Sequence, residues 1–137
     1  MDMQLELVII PVTDIDRSKA FYEQVGFTCD TDHRAGDFRI VQLTPPGSAC
    51  SVGFGTGITT AEPGSAQGLH LVVTEIEAAV ADLRGRGVEV GDPFHFGAEG
   101  RADGVDPRRQ DYATFAELSD PDGNVWLLQE IASRAAS

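Results

Sequence analysis

Apolar and polar positions follow two rhythms along this chain. Leu5 to Val12 is a nearly continuous β-rich apolar run, the pattern of a buried strand. It gives way to Asp14-Ile15-Asp16. Ile15, Phe21 and Val25 then fall near one helical face until Gly26 ends the pattern. Asp14 or Asp16 is placed to cap that helix, where a carboxylate suits the positive end of the backbone dipole. Three β-like segments follow: Gly26–Asp32, Phe38–Leu43 and Ser51–Gly55.

The chain then echoes itself. Val12-Thr13-Asp14-Ile15-Asp16 returns as Val73-Thr74-Glu75-Ile76-Glu77, and the same offset carries Gly26 onto Gly87 and Phe27 onto Val88. Thr74 and Glu77 have capping-box spacing. Ile76, Val80 and Leu83 supply the apolar stripe, and Gly85 and Gly87 stop it. The β-like segments of this half are Val88–Phe94, Ala113–Leu118 and Val125–Glu130. Leu43-Thr44-Pro45-Pro46-Gly47 and Leu118-Ser119-Asp120-Pro121-Asp122-Gly123 form corresponding turns, with Pro and Gly supplying the φ angles that turns require.

Each half therefore reads β-α-β-β-β, in an α+β domain spanning residues 1–137. Module one covers residues 4–59, module two 66–132, and residues 60–65 link them. A half of about 65 residues is marginal alone, so the two are expected to share one core. The second half carries an additional polar, Gly-rich stretch, Gly97–Asp111, which reads either as a lid or as a surface insertion.

Composition narrows the function. The 137 residues hold 22 Asp+Glu against 10 Lys+Arg, a net charge of −12. That leaves few cations for a nucleic-acid face and disfavours anionic membranes. The excess serves solubility, with steering of cationic ligands as a further role. Cys29 and Cys50 are too few for a disulfide scaffold and read as reduced thiols. The acidic start Met1-Asp2-Met3-Gln4-Leu5-Glu6 lacks the basic region of a signal peptide, and no apolar run approaches the ~20 residues of a membrane span. A cytoplasmic location is expected.

Three signals together carry a family resemblance: Val12-Thr13-Asp14-Ile15-Asp16-Arg17-Ser18-Lys19-Ala20-Phe21-Tyr22, then Gly26-Phe27, then Asp120-Pro121-Asp122-Gly123-Asn124. In this order, and with the repeat, the chain resembles the vicinal oxygen chelate superfamily, which includes glyoxalases, bleomycin-resistance proteins and extradiol dioxygenases. The resemblance implies two paired βαβββ modules whose mixed sheet forms a cup with helices outside, and a homodimer. In the superfamily's metalloenzymes it implies a divalent ion held by His, Glu or Gln from the first and last strand of each module.

Counted from the motifs, those stations are Leu7 and Gly68 on the first strands and Ser51 and Leu127 on the last. None suits a divalent ion, so neither metal nor other cofactor is expected. His70, two residues past Gly68, should share its face and could bond a ligand, act in acid–base chemistry, or simply be a satisfied core residue. His95 stands at the edge of the lid stretch. Phe54, among small neighbours, could leave room for a planar ligand, and Phe38, Tyr112 and Phe115 are placed on bordering strands. Arg39, Gln42, Ser51 and Gln129 are the polar candidates, with Leu7 and Leu127 as apolar lining. Trp126 reads as core. Arg101, Arg108 and Arg109 could clamp an anion or belong to a solvated loop. The favoured reading is a metal-free protein that binds a partly aromatic or cationic small molecule, in the manner of bleomycin-resistance proteins. The alternative is a glyoxalase-type lyase, isomerase or dioxygenase built around His70.

Overall fold

The computed structural model describes residues 1–135, so the last two residues of the expected domain lie outside that range. The chain forms two compact units. One is Met1–Ala66 with Asp120–Asn124, and the other is Gln67–Ser119 with the chain from Val125 onward.

In the first unit the apolar run becomes strand β1 at Leu7–Ile9, parallel to β4 (Ser51–Gly55). The Ile10 N–H still reaches the Gly53 carbonyl, but Pro11 has no N–H to continue the ladder. Helix α1 (Ile15–Val25) starts where the Asp14 carboxylate accepts the Arg17 N–H at 3.1 Å. It ends at Gly26, whose φ of 118° lets its N–H return to the carbonyls of Tyr22 and Glu23. Strands β2 (Thr28–Ala35) and β3 (Phe38–Thr44) complete a sheet of order β1-β4-β3-β2. A bulge between Cys29 and Thr31 interrupts the β2–β3 register.

Alternation along β3 and β4 divides this sheet into two faces. Val41, Leu43, Val52 and Phe54 are buried on the face that packs against α1, with the Tyr22 and Phe54 ring centres 5.9 Å apart. Phe54 was expected beside an open pocket. It is instead wholly buried in the core, because its register opposite Val41 turns it toward the helix. Arg39 shares that face and is committed to ion pairs with Asp32 at 2.9 Å and Asp16 at 2.6 Å. The guanidinium draws both carboxyls below their ordinary range, chiefly by hydrogen bonding.

In the second unit β5 (Leu69–Val73) runs parallel to β9 (Val125–Glu130), and β8 (Thr114–Ser119) pairs antiparallel with β9. With β6 (Phe94–Gly97) and β7 (Gly100–Asp103) the order is β5-β9-β8-β6-β7, the first unit's order with one strand added. The added strand corrects the expectation for Gly97–Asp111: its first part is the turn and outer strand of a β-hairpin. The expected strand Val88–Phe94 is also corrected, since regular pairing begins only at Phe94. Gly91 donates to the Glu117 carbonyl, but Pro93 offers no donor and breaks the ladder.

Helix α2 (Ile76–Gly85) packs against β8 and β9, burying Ile76, Val80 and Leu83 over Ala116, Leu118, Trp126 and Leu128. The expected capping box is absent. Glu75 occupies the cap without a side-chain bond, and the first helical N–H, at Ile76, is met by the buried carboxylate of Glu130 at 2.9 Å. Arg109 binds the same carboxylate through Nε at 3.1 Å and Nη2 at 2.8 Å, and Glu77 through Nη1 at 2.7 Å. Burial pushes the Glu130 pKa up, but the bonds from Arg109 and the Ile76 N–H outweigh it, and the net shift is downward.

Acid is therefore expected to destabilise the fold. The carboxyls of Asp16, Asp32 and Glu130 all titrate lower in the folded than in the unfolded chain. Their contribution is complete above the unfolded pKa and fades as pH falls through the lower folded one. Melting temperature should stay level near neutrality and drop progressively below about pH 4. A melting temperature that does not fall between pH 5 and pH 3 would count against these pairings.

Candidate functional site

The face of the second sheet that points away from α2 carries its most distinctive chemistry. Registers His70↔Leu127, Val72↔Gln129, Phe115↔Gln129 and Phe94↔Phe115 place these side chains on one surface. Phe94 and Phe115 stack with ring centres 5.7 Å apart, and Phe96 meets both edge-on at 5.9 Å. The His70 ring stands edge-on to Phe115 at 6.2 Å. The Arg101 guanidinium lies over the Phe94 ring at 3.6 Å, a cation–π contact across the β6–β7 hairpin. Phe96 is 64% exposed and Val72 40%, while Phe94 is buried, so the open part of this surface is carried by Phe96, Phe115, His70 and Val72.

His70 is exposed, and its Nδ1 lies 2.7 Å from the Gly68 carbonyl. A carbonyl only accepts, so Nδ1 carries a proton and Nε2 is the ring atom turned to the open surface. Gln129 donates to the Tyr112 carbonyl at 3.1 Å. Tyr112 lies in a turn rather than on a strand, with φ at 72° and its ring 56% exposed. Arg109, at φ 48°, is the other non-glycine residue with positive φ among the described residues, and both belong to the loop that Glu130 anchors. His95 points to the reverse of the sheet from Phe94 and Phe96, with its Nδ1 2.8 Å from the Gly104 carbonyl. There it secures a loop and is not on the aromatic surface.

In the first unit, the face away from α1 collects Leu7, Gln42 and Ser51 with Phe38 at its edge. A side chain at Gly53 would meet Leu7 at 3.2 Å and Gln42 at 3.5 Å, which places both beside it. Arg39 and Phe54 are on the opposite face.

The stations at which the superfamily's metalloenzymes hold their ion fall on these registers. Leu7 pairs with Ser51, and the corresponding pair in the second unit is His70 with Leu127. Gly68 lies just before β5, so the count back from the helix motif missed by two residues, because the link from first strand to helix is shorter in the second unit. A leucine with a hydroxyl in the first unit, and an imidazole with a leucine in the second, each fall short of the donors a divalent ion needs. Among the described residues no three His, Cys, Asp or Glu side chains gather in a group that could hold one.

Alternation alone could have revealed Phe94 and Phe96, which flank His95 at strand spacing. Arg101 was masked by its setting in a charged, Gly-rich stretch. Apart from this surface, a hollow of about 650 Å3 lies between α2 and the β6–β7 hairpin, lined in part by Glu77, Val80, Arg84, Asp92 and Val105. It brings together no nucleophile and base.

Two units of strand, helix and antiparallel strands, each with its first strand parallel to its last, define a glyoxalase-type fold. The profile of the Glyoxalase/Bleomycin resistance protein/Dioxygenase superfamily matches residues 4–128, and the chain belongs to that superfamily. The crystal structure of TnmS3, an antibiotic binding protein from Streptomyces sp. CB03234, is 31% identical, with TM-score 0.73 over 95% of this chain and 97% of that one. A glyoxalase/bleomycin resistance protein from the same organism is 32% identical, with TM-score 0.70 over 93% and 100%. A superfamily member from Sphaerobacter thermophilus DSM 20745 is 26% identical, with TM-score 0.70 over 94% and 98%. No curated protein sequence matches the chain.

Proposed function

We propose that this protein binds and sequesters a partly aromatic, antibiotic-like small molecule without a metal. The observation that carries the reading is the surface of Phe96, Phe115 and His70, backed by the buried Phe94 ring on which Arg101 is seated. The exposed Phe96 and half-buried Phe115 rings, held by contact with buried Phe94, offer a rigid platform for a planar ligand, and such binding needs shape and a few polar anchors rather than a reaction centre. The likeness to an antibiotic binding protein supports it, as does the unsuitable donor set at the metal positions. No helix among the described residues is long and apolar enough to cross a membrane. The two free cysteines accord with a reducing cytoplasm, and superfamily membership with a homodimer.

The test is a fluorescence titration with 9-aminoacridine, a planar aromatic cation. Micromolar binding is expected, and Phe115→Ala should weaken it about tenfold, the equivalent of about 1.4 kcal/mol. Added salt should weaken it further if the chain's negative charge assists. EDTA should change nothing. An unchanged affinity in Phe115→Ala would remove the aromatic platform from the reading. About one divalent ion per chain in protein purified without chelators would overturn its metal-free part.

A further inference from the structure

The bulge in β2 bears on the chemistry of the first sheet. Cys29 opposes Leu43 and Thr31 opposes Gln42, so Asp30 is the additional residue between two regular pairs. It projects onto the face away from α1, where its carboxylate accepts a hydrogen bond from the Thr44 hydroxyl. Thr44 Oγ1 also lies 2.7 Å from Ser51 Oγ. Thr44 and Ser51 are half-buried, and Ser51 stands beside Leu7 across the parallel register.

The direction of this chain of bonds follows from counting protons. A carboxylate only accepts, so Thr44 gives its single hydroxyl proton to Asp30. In its contact with Ser51, Thr44 can then only accept, and Ser51 must donate. The Ser51 oxygen is left with lone pairs and no proton to offer. Hydrogen bonds in series polarise one another, and the Asp30 charge at the far end strengthens Ser51 as an acceptor.

We infer that Asp30, Thr44 and Ser51 form a one-way acceptor site on the first sheet, built to receive an N–H or O–H donor of a ligand, with an ammonium group favoured over a carboxylate. The inference rests on the reading of the chain as a small-molecule binder and adds a class of ligand group to it. It concerns the first unit's own face. The net charge of −12 acts in the same sense.

The experiment is an NMR titration of the full chain with three fragments: benzylammonium, benzyltrimethylammonium and benzoate. The first two share a charge and differ in having N–H donors, and the third can only accept. Benzylammonium should shift the Thr44 and Ser51 amide resonances with a Kd at least tenfold below that of benzyltrimethylammonium, while benzoate leaves them in place. Ser51→Ala and Thr44→Val should narrow the gap to less than threefold. Asp30→Asn, whose amide can donate to Thr44 and reverse the chain, should do the same. Melting temperatures of the variants report that they are folded. If the two cations perturb Ser51 equally in the native chain, or if benzoate binds there, the acceptor site is overturned. Perturbation confined to the Phe94, Phe96 and Phe115 region would overturn it too, yet leave the binding reading standing. Fragments that shift no resonance anywhere would overturn both.

Discussion

Asn124→Ala should lower the melting temperature by about 10 °C, a loss of about 3 kcal/mol for a chain of this length. Asn124 is fully buried, and its side chain is bonded at both ends. Its amide donates to the Pro11 carbonyl and to Asp120, each at 2.8 Å, and its oxygen accepts the Ala66 N–H at 3.0 Å. Asp120, also buried, accepts from the Tyr22 hydroxyl at 2.7 Å and from two turn N–H groups. Alanine strands a buried carbonyl and a backbone N–H and takes one donor from Asp120. The cost is that of polar groups left dry and unpaired rather than of the bonds alone. Asp122→Ala is the control. It removes the bonds from Thr13, which are open to solvent, so water can replace them, and about 1 kcal/mol is expected. Differential scanning calorimetry separates the two. Equal effects would mean that the burial of Asn124 is not what matters.

Glu130→Ala is the second large effect, at about 2–3 kcal/mol. It removes the acceptor of the first α2 N–H and both bonds from the Arg109 guanidinium. The loop carrying Arg109 and Tyr112 in positive-φ backbone then loses its main anchor, so amide hydrogen exchange should accelerate there before the strands respond. Glu130→Gln keeps the volume and one carbonyl oxygen. It should recover part of the stability, because Ile76 can retain its acceptor while Arg109 faces a neutral amide. A loop whose exchange is unaltered in Glu130→Ala would show that Arg109 does not hold it.

The legible parts of the fold were those whose cause is local. Ser51–Gly55 and Val125–Glu130 were delimited correctly because each is a β-rich run released by a turn glycine. Gly26 announced the end of α1 for the same reason, and of the two candidate caps, Asp14 and Asp16, the structure uses Asp14. The α2 cap was not legible, since its acceptor, Glu130, stands far away in the chain. Phe54 was misplaced because glycine neighbours suggest room, whereas the facing side is decided by register against β3. His70 took the position given to Gly68 because a motif count assumes equal spacing from strand position to helix start, and that spacing is eight residues from Leu7 to Ile15 but six from His70 to Ile76. The hairpin strand β7 escaped notice because Gly100–Asp103 has almost no apolar content, and only pairing with Phe94–Gly97 makes it a strand. The aromatic surface was thus half visible: Phe115 and His70 came from periodicity, the same alternation reaches Phe94 and Phe96 on either side of His95, and the seat of Arg101 over Phe94 needs the β6–β7 pairing.

The bulge at Asp30 has a consequence for how this lineage can change. Beyond it, Asp32 falls on the α1 side, where it meets Lys19 and Arg39. Deleting Asp30 would restore uninterrupted alternation, with Thr31 still opposite Gln42 and Asp32 still opposite Val41 on the α1 side. The acceptor in front of the sheet thus depends on one added residue, whereas the ion pairs behind it do not. A single-codon deletion can remove the first and leave Arg39 its partners. Relatives that lack the residue would therefore differ as a group in ligand preference while keeping the same acid tolerance.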